Sequence, residues 1–200
     1  MIKIKSVEVL VYRYPLKTIV QTSFGTMHDR PMVLVKLIDE DDYVGVGEVW
    51  CNFPAVGAEH RARLIDSVFT PLLTMEPFDS PASAFELLTR KTWVLGLQTG
   101  EFGPIAQCIA GIDIAFHDLM ARRDETPLWK YLGGVSDSVE TYASGINPTD
   151  AEKTAEAALK SGYRALKLKI GFNPAHDIQN IKSLRTLLGE NGQLMVDANQ

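Results

Sequence analysis

The spacing of apolar residues changes character twice along this chain. Residues 2–13 alternate with a period near two, carrying Ile4, Val7, Val9 and Val11, and read as a strand. Residues 16–30, with Gln21, Thr22, Ser23, Gly25 and His28, read as a loop. Met32 to Ile38 and Tyr43 to Val49 read as two more strands, joined by the acidic turn Asp39-Glu40-Asp41-Asp42 as a hairpin. Gly45 and Gly47 alternate in the last strand, which predicts close approach of another backbone. The period then lengthens to that of helices near 58–74, 81–96 and 104–123. Pro77, Pro81, Gly96, Gly100 and Gly103 punctuate them. The third helix is the most apolar, and its small residues Ala106, Ala110 and Gly111 predict a tightly packed neighbour. Pro127 to Gly134 reads as a short helix with a glycine stop.

From Val139 the order becomes strand, helix, strand, helix, strand. The strands are Val139 to Ser144, residues 165–170 and residues 193–198; the helices are 149–161 and 175–188, started by Pro148-Thr149-Asp150 and Asn173-Pro174. Strands alternating with helices of this length predict a parallel sheet. The organisation expected is therefore an α+β domain over residues 1–130, with a three-stranded antiparallel sheet plus helices, and a β/α region over residues 139–200.

The β/α region carries the candidate chemistry. Lys167 and Lys169 stand two apart in the apolar run Ala-Leu-Lys-Leu-Lys-Ile-Gly, so both ammonium groups project to one face. One helix later, Asp197 and Asn199 are again two apart. If these strands are parallel neighbours, two amines, a carboxylate and an amide converge at their carboxyl ends, where α/β folds place active sites. Adjacent amines suppress each other's protonation and make a base usable near neutral pH. A carboxylate beside them suits a hard divalent cation. An isolated Lys-x-Lys on a strand is ordinarily a solvated face. Here helical segments flank the strand on both sides, so its lysines need a reason.

Composition narrows the partners. The 200 residues carry a formal net charge of −5, so the chain lacks the basic surplus of a nucleic-acid binder. The two cysteines, Cys51 and Cys108, form no metal-spaced motif and suit a reducing compartment. No stretch approaches the ~18 apolar residues of a membrane span, and the N-terminus lacks a signal-type apolar core, so a cytoplasmic location with no membrane partner is expected.

Three stretches together resemble the enolase superfamily, in its mandelate racemase and muconate lactonising branch. They are Ala-Gly-Ile-Asp-Ile-Ala-Phe-His-Asp-Leu at 110–119 with Pro127-Leu128 and Leu132-Gly133-Gly134, then Lys167-Leu168-Lys169, then Val196-Asp197-Ala198-Asn199. The resemblance implies a capping domain followed by the first three β/α units of a TIM-type barrel. It implies abstraction of a proton α to a carboxylate through an enediolate, by a racemase, epimerase, dehydratase or cycloisomerase of a small carboxylic acid. Lys169 would be the base, and Lys167 would lower its pKa and help bind the carboxylate. Asp197 would be the first of three ligands to Mg²⁺, with Mn²⁺ as a substitute, and Asn199 would line the pocket. It also implies a homo-oligomer. Phe116, His117 and Tyr131 depart from the family's usual residues as packing variants. The other two ligands and the second acid/base group, which would decide the reaction subtype, are absent from these 200 residues. Three strands cannot close a barrel of about eight, so the chain is expected to be truncated. The native polypeptide should continue for roughly 150–200 residues.

Phe24, His28 and Trp50 are candidates for substrate recognition from the capping domain. His117 reads as a satisfied buried histidine, His60 and His176 as surface residues, and Asp113 and Asp118 as partners of backbone or arginine groups such as Arg122. Two other readings stand beside the enolase-type one. Lys169 could form a Schiff base as a lyase nucleophile, which needs no metal. The chain as it stands could also be an inactive fragment or an assembly subunit.

Overall fold

The structure is a computed structural model and describes residues 1–22 and 25–198. It divides into two units, Met1–Val135 and Ser136–Gln200.

The first unit is an antiparallel sheet backed by helices. Strands β1 (Ile4–Thr22), β2 (Gly25–Asp39) and β3 (Val44–Val49) pair in that order. The expected loop over 16–30 is largely strand. Pairing resumes after an irregularity at Pro15, with Val20 opposite Met27 and Gln21 opposite Thr26. Reading the segment by its polarity underweighted Thr18, Ile19, Val20 and Thr22, whose β-branched side chains favour extended backbone. The turn into β3 is built on Asp39. Its buried carboxylate accepts the N–H groups of Asp41 (3.0 Å) and Tyr43 (2.9 Å) and pairs with Arg123 at 3.2 Å.

Among the described residues, five helices and a π-helical turn follow β3 in this unit. The segment expected as one helix over 58–74 is α1 (Gly57–Leu64), the π turn Ile65–Phe69 and α2 (Thr70–Met75). Helix α3 (Pro81–Thr99) starts at a capping box, with Ser80 and Ser83 exchanging side-chain and backbone hydrogen bonds. Helix α4 (Phe102–Arg123) carries Ile105, Ile109, Ile112, Phe116 and Leu119 into a core shared with Val33, Val35 and Leu37 of β2. The short α5 (Leu128–Tyr131) ends the unit, and Gly133 follows it at φ +84°.

The two glycines of β3 explain how α4 lies so close. A Cβ at Gly45 would collide with the Ala115 carbonyl oxygen, and one at Gly47 with that of Gly111. The contact on α4 therefore runs through Gly111 and Ala115, one turn apart, whereas Ala106 and Ala110 are exposed on another face. Asp118 locks the same contact, accepting the Val46 N–H at 2.8 Å and Arg122 Nε at 2.9 Å. His117 is half-exposed instead of buried: its Nε2 lies 3.8 Å from Asp113, and Nδ1 has no hydrogen-bond partner. Its position one residue from Phe116 turns it off the apolar stripe.

The second unit is a parallel sheet in the order β4 (Ala143–Ile146), β5 (Ala165–Lys169), β6 (Gln193–Asp197). Helices α6 (Ala151–Lys160) and α7 (Pro174–Leu188) supply the crossovers. β4 begins four residues later than the expected Val139, because Val139 to Thr141 are exposed and outside the ladder. Leu166 and Leu168 are fully buried in a core with Ile146, Ala155 and Leu184. No helix among the described residues is long and apolar enough to cross a membrane.

A methyl group at Gly47 has no space unless α4 retreats. We expect Gly47→Ala to destabilise the first unit by about 1–3 kcal/mol, the range for overpacking. Gly103→Ala, where a Cβ meets open space, should be within about 0.5 kcal/mol of neutral. Denaturant titration followed by circular dichroism distinguishes the two; equal losses would contradict the tight-contact account.

Candidate active site

The position of the site follows from which face of β5 the core takes. Leu166 and Leu168 point to the helices, so the period of two turns Ala165, Lys167 and Lys169 to the opposite, inner face. β6 pairs with β5 in parallel register, Lys167 beside Met195 and Lys169 beside Asp197. Side chains level with each other on neighbouring strands share a face, and the Asp197 carboxylate receives both ammonium groups. Lys169 Nζ donates to Oδ2 at 2.8 Å and Lys167 Nζ lies 3.3 Å from the same oxygen. The three side chains are 25–28% exposed, within reach of solvent yet largely covered.

The electrostatics differ from simple amine–amine repulsion. Lys167 is held above the ordinary lysine pKa, chiefly by its hydrogen bond to Asp197, against the opposing effect of desolvation and with a further rise from the Tyr142 side chain. The Asp197 carboxylate beside Lys167 favours its charged form. Lys167 is thus a standing positive charge.

The end of β5 is braced from behind. The Ile170 N–H donates to the Asp197 carbonyl at 3.0 Å. Gly171 follows at φ +93°, packed against Ala198, and its N–H donates to Oδ2 of Asp177 at 2.9 Å. Asp177 is buried at 7% exposure in the first turns of α7, and its Oδ1 has no hydrogen-bond partner. Sequence reasoning passed over Asp177. Its signal was an acidic residue four positions after the Asn173 helix cap, where a carboxylate reaches both the helix start and the preceding loop. Tyr142 was also passed over. It stands just before β4 on the inner face, and Lys167 Nζ is 5.3 Å from its ring centroid. An open hollow of about 700 Å³ beside Tyr142 lies at the amino ends of β5 and β6, lined by Ser161, Tyr163, Arg164, Asn191 and Gln193 among others; Lys167, Lys169 and Asp197 are not among its walls.

The other sequence candidates are distributed differently. Phe24 and Asn199 lie outside the described residues. His28 is exposed on strand β2, not on a loop. Trp50 follows β3, is 51% exposed, and lines an open cleft of about 570 Å³ with Tyr12, Tyr14, Arg30 and Met32; His28 is not among its walls. The structure therefore brings Lys167, Lys169 and Asp197 together, and does not join His28 to Trp50. Both cysteines are buried free thiols, and burial pushes Cys108 up to about 12, which excludes it as a nucleophile near neutral pH.

Asp197 fits a hard cation such as Mg²⁺ in kind, as a carboxylate oxygen. Among the described residues no three or more His, Cys, Asp or Glu side chains gather as a metal cluster. Among the described residues Asp197 therefore stands as a single carboxylate and not as a metal cluster.

Residues 1–133 match the family model for the mandelate racemase / muconate lactonizing enzyme N-terminal domain, and residues 150–200 match the enolase C-terminal domain-like model. The chain belongs to the mandelate racemase/muconate lactonizing enzyme branch of the enolase superfamily. Its first unit is the α+β capping domain of that superfamily. It is 31% identical over 202 residues to the 3,6-anhydro-alpha-L-galactonate cycloisomerase of Streptomyces coelicolor, covering 98% of this chain and 54% of that protein. It is 36% identical over 175 residues to the L-talarate/galactarate dehydratase of Salmonella typhimurium, covering 84% and 42%. A mandelate racemase/muconate lactonizing enzyme from Bordetella bronchiseptica RB50 superposes with a TM-score of 0.91 at 52% identity, over 100% of this chain and 52% of that one. A racemase from Streptomyces coelicolor with bound magnesium gives 0.85 at 29% identity, over 100% and 55%. The chain spans about half the length of the curated relatives it matches.

The Asp177 brace is testable without a substrate. Asp177→Ala should remove the acceptor of the Gly171 N–H, speed exchange of that amide severalfold, and lower stability by about 1–2 kcal/mol. Amide hydrogen exchange by NMR reads it. An unchanged Gly171 amide would show that the carboxylate does not hold this turn.

Proposed function

We propose that the polypeptide carrying this chain removes a proton α to the carboxylate of a small acid, such as a sugar acid, a hydroxy acid or an amino acid derivative. The observation that supports it is the convergence of Lys167, Lys169 and Asp197 on the inner face at the carboxyl ends of β5 and β6. The family context agrees: the two relatives above are a cycloisomerase and a dehydratase, and the magnesium-bound structure is a racemase.

In this reading the two lysines divide the work. Lys167, held charged by its surroundings, binds the substrate carboxylate and stays close as negative charge grows on its oxygens. Lys169, level with Asp197 at the end of the strand, accepts the α-proton on Nζ in its neutral form and can return it. An α-proton beside a carboxylate is very weakly acidic, so the enediolate must be neutralised as it forms. Asp197 would be one ligand of a Mg²⁺ ion, which when bound would supply much of that neutralising charge. Asn199, with Phe24, His28 and Trp50 of the first unit, remain proposed as recognition residues. No observation favours the Schiff-base alternative.

The test uses the full polypeptide that carries this sequence, with Mg²⁺ and a panel of carboxylic acids in heavy water. α-Deuterium incorporation is expected for at least one acid. Lys169→Ala should reduce it by at least about 10²-fold in one stereochemical sense, the scale of a general base. Asp197→Asn should weaken Mg²⁺ binding by calorimetry while leaving the circular dichroism spectrum unchanged. Undiminished exchange in Lys169→Ala would sink its role as base.

A further inference from the structure

We infer that Tyr142 is a positioning residue that seats the ammonium of Lys167. Its catalytic consequence rests on the reading of Lys167 just given; the seat itself rests on geometry alone. Ala143 lies beside Leu166 in the parallel ladder, on the helix-covered side. The period of two then turns Tyr142 to the inner face that Lys167 occupies. Lys167 Nζ is 5.3 Å from the Tyr142 ring centroid and 3.3 Å from Asp197 Oδ2, so the cation stands between an aromatic ring and a carboxylate. That distance is within the range over which a ring quadrupole attracts an ammonium.

The arrangement solves a problem that the Lys-x-Lys pattern creates. A lysine head on a four-carbon stem has many orientations, and Asp197 Oδ2 already receives Lys169 at 2.8 Å. A lysine held by the carboxylate alone would lose its place whenever Asp197 turned to another cation. The ring does not compete for that carboxylate. It keeps Lys167 over the inner face, where an incoming carboxylate would meet it, and leaves Lys169 at the level of Asp197. Tyr142 is 44% exposed, so the ring and the ammonium it faces are within reach of solvent.

The seat is read directly by NMR on the full polypeptide that carries this sequence. The Lys167 Cε methylene protons should be shifted upfield by the ring current. The shift should persist in Tyr142→Phe, which keeps the ring, and vanish in Tyr142→Leu, with overall spectral dispersion unchanged. A wild-type Lys167 at ordinary lysine shifts, or a shift that survives in Tyr142→Leu, overturns the proposal. In the exchange assay with the full polypeptide, Tyr142→Leu should raise KM for the carboxylate about three- to tenfold, with a smaller change in kcat, and Tyr142→Phe should restore KM to within about twofold. A KM unchanged in Tyr142→Leu would remove the positioning role. An unsubstituted enzyme that exchanges nothing would count against the function, while the ring-current result still decides the seat.

Discussion

The parallel register between β5 and β6 is the constraint on which the rest of the site depends. Leu166 and Leu168 are fully buried among Ile146, Ala155 and Leu184, and this fixes the face that β5 gives to the helices. A slip of one residue would bury Lys167 and Lys169 there and cost far more than any strand pairing returns. With the face settled, the pairing of Lys169 with Asp197 places a carboxylate between two amines without any further device. The brace behind it, from Asp177 to the Gly171 N–H and from the Ile170 N–H to the Asp197 carbonyl, holds the strand ends at that level.

The first unit achieves its fixity by a different means. Its sheet and α4 approach through paired glycines, so backbone meets backbone where side chains would ordinarily intervene. Asp118 and Asp39 then anchor both edges of that contact, one to the Val46 N–H and the other to the β2–β3 turn and Arg123. Such a contact tolerates little change in volume, since neither partner has a side chain that can move aside.

Much of this was legible in the sequence, for reasons that differ by element. The β/α alternation after residue 139 and the Lys-x-Lys face were readable because strand period and burial act together over five residues. Gly45 and Gly47 announced the close contact, and Gly111 proved to be part of its other half as expected, joined by Ala115 in place of Ala106 and Ala110. That half turns on which face of α4 meets β3, which composition does not reveal. The strands through 16–30 were hidden because threonines count as polar in a hydrophobic pattern while their branched Cβ favours a sheet. Tyr142 escaped notice since it acts on Lys167, a neighbour distant in sequence, through a ring face, and Asp177 since it acts through a backbone N–H, that of Gly171, which no side-chain pattern marks.

The proposed function treats Lys167, Lys169 and Asp197 as one chemical unit in which Asp197 would help hold a divalent cation. A crystal structure of the full polypeptide grown with Mg²⁺ tests it most directly. The account expects a six-coordinate ion about 2.1 Å from an Asp197 carboxylate oxygen, with both lysine ammonium groups facing the same space. An ion bound elsewhere, with Asp197 turned away from it, would contradict the account.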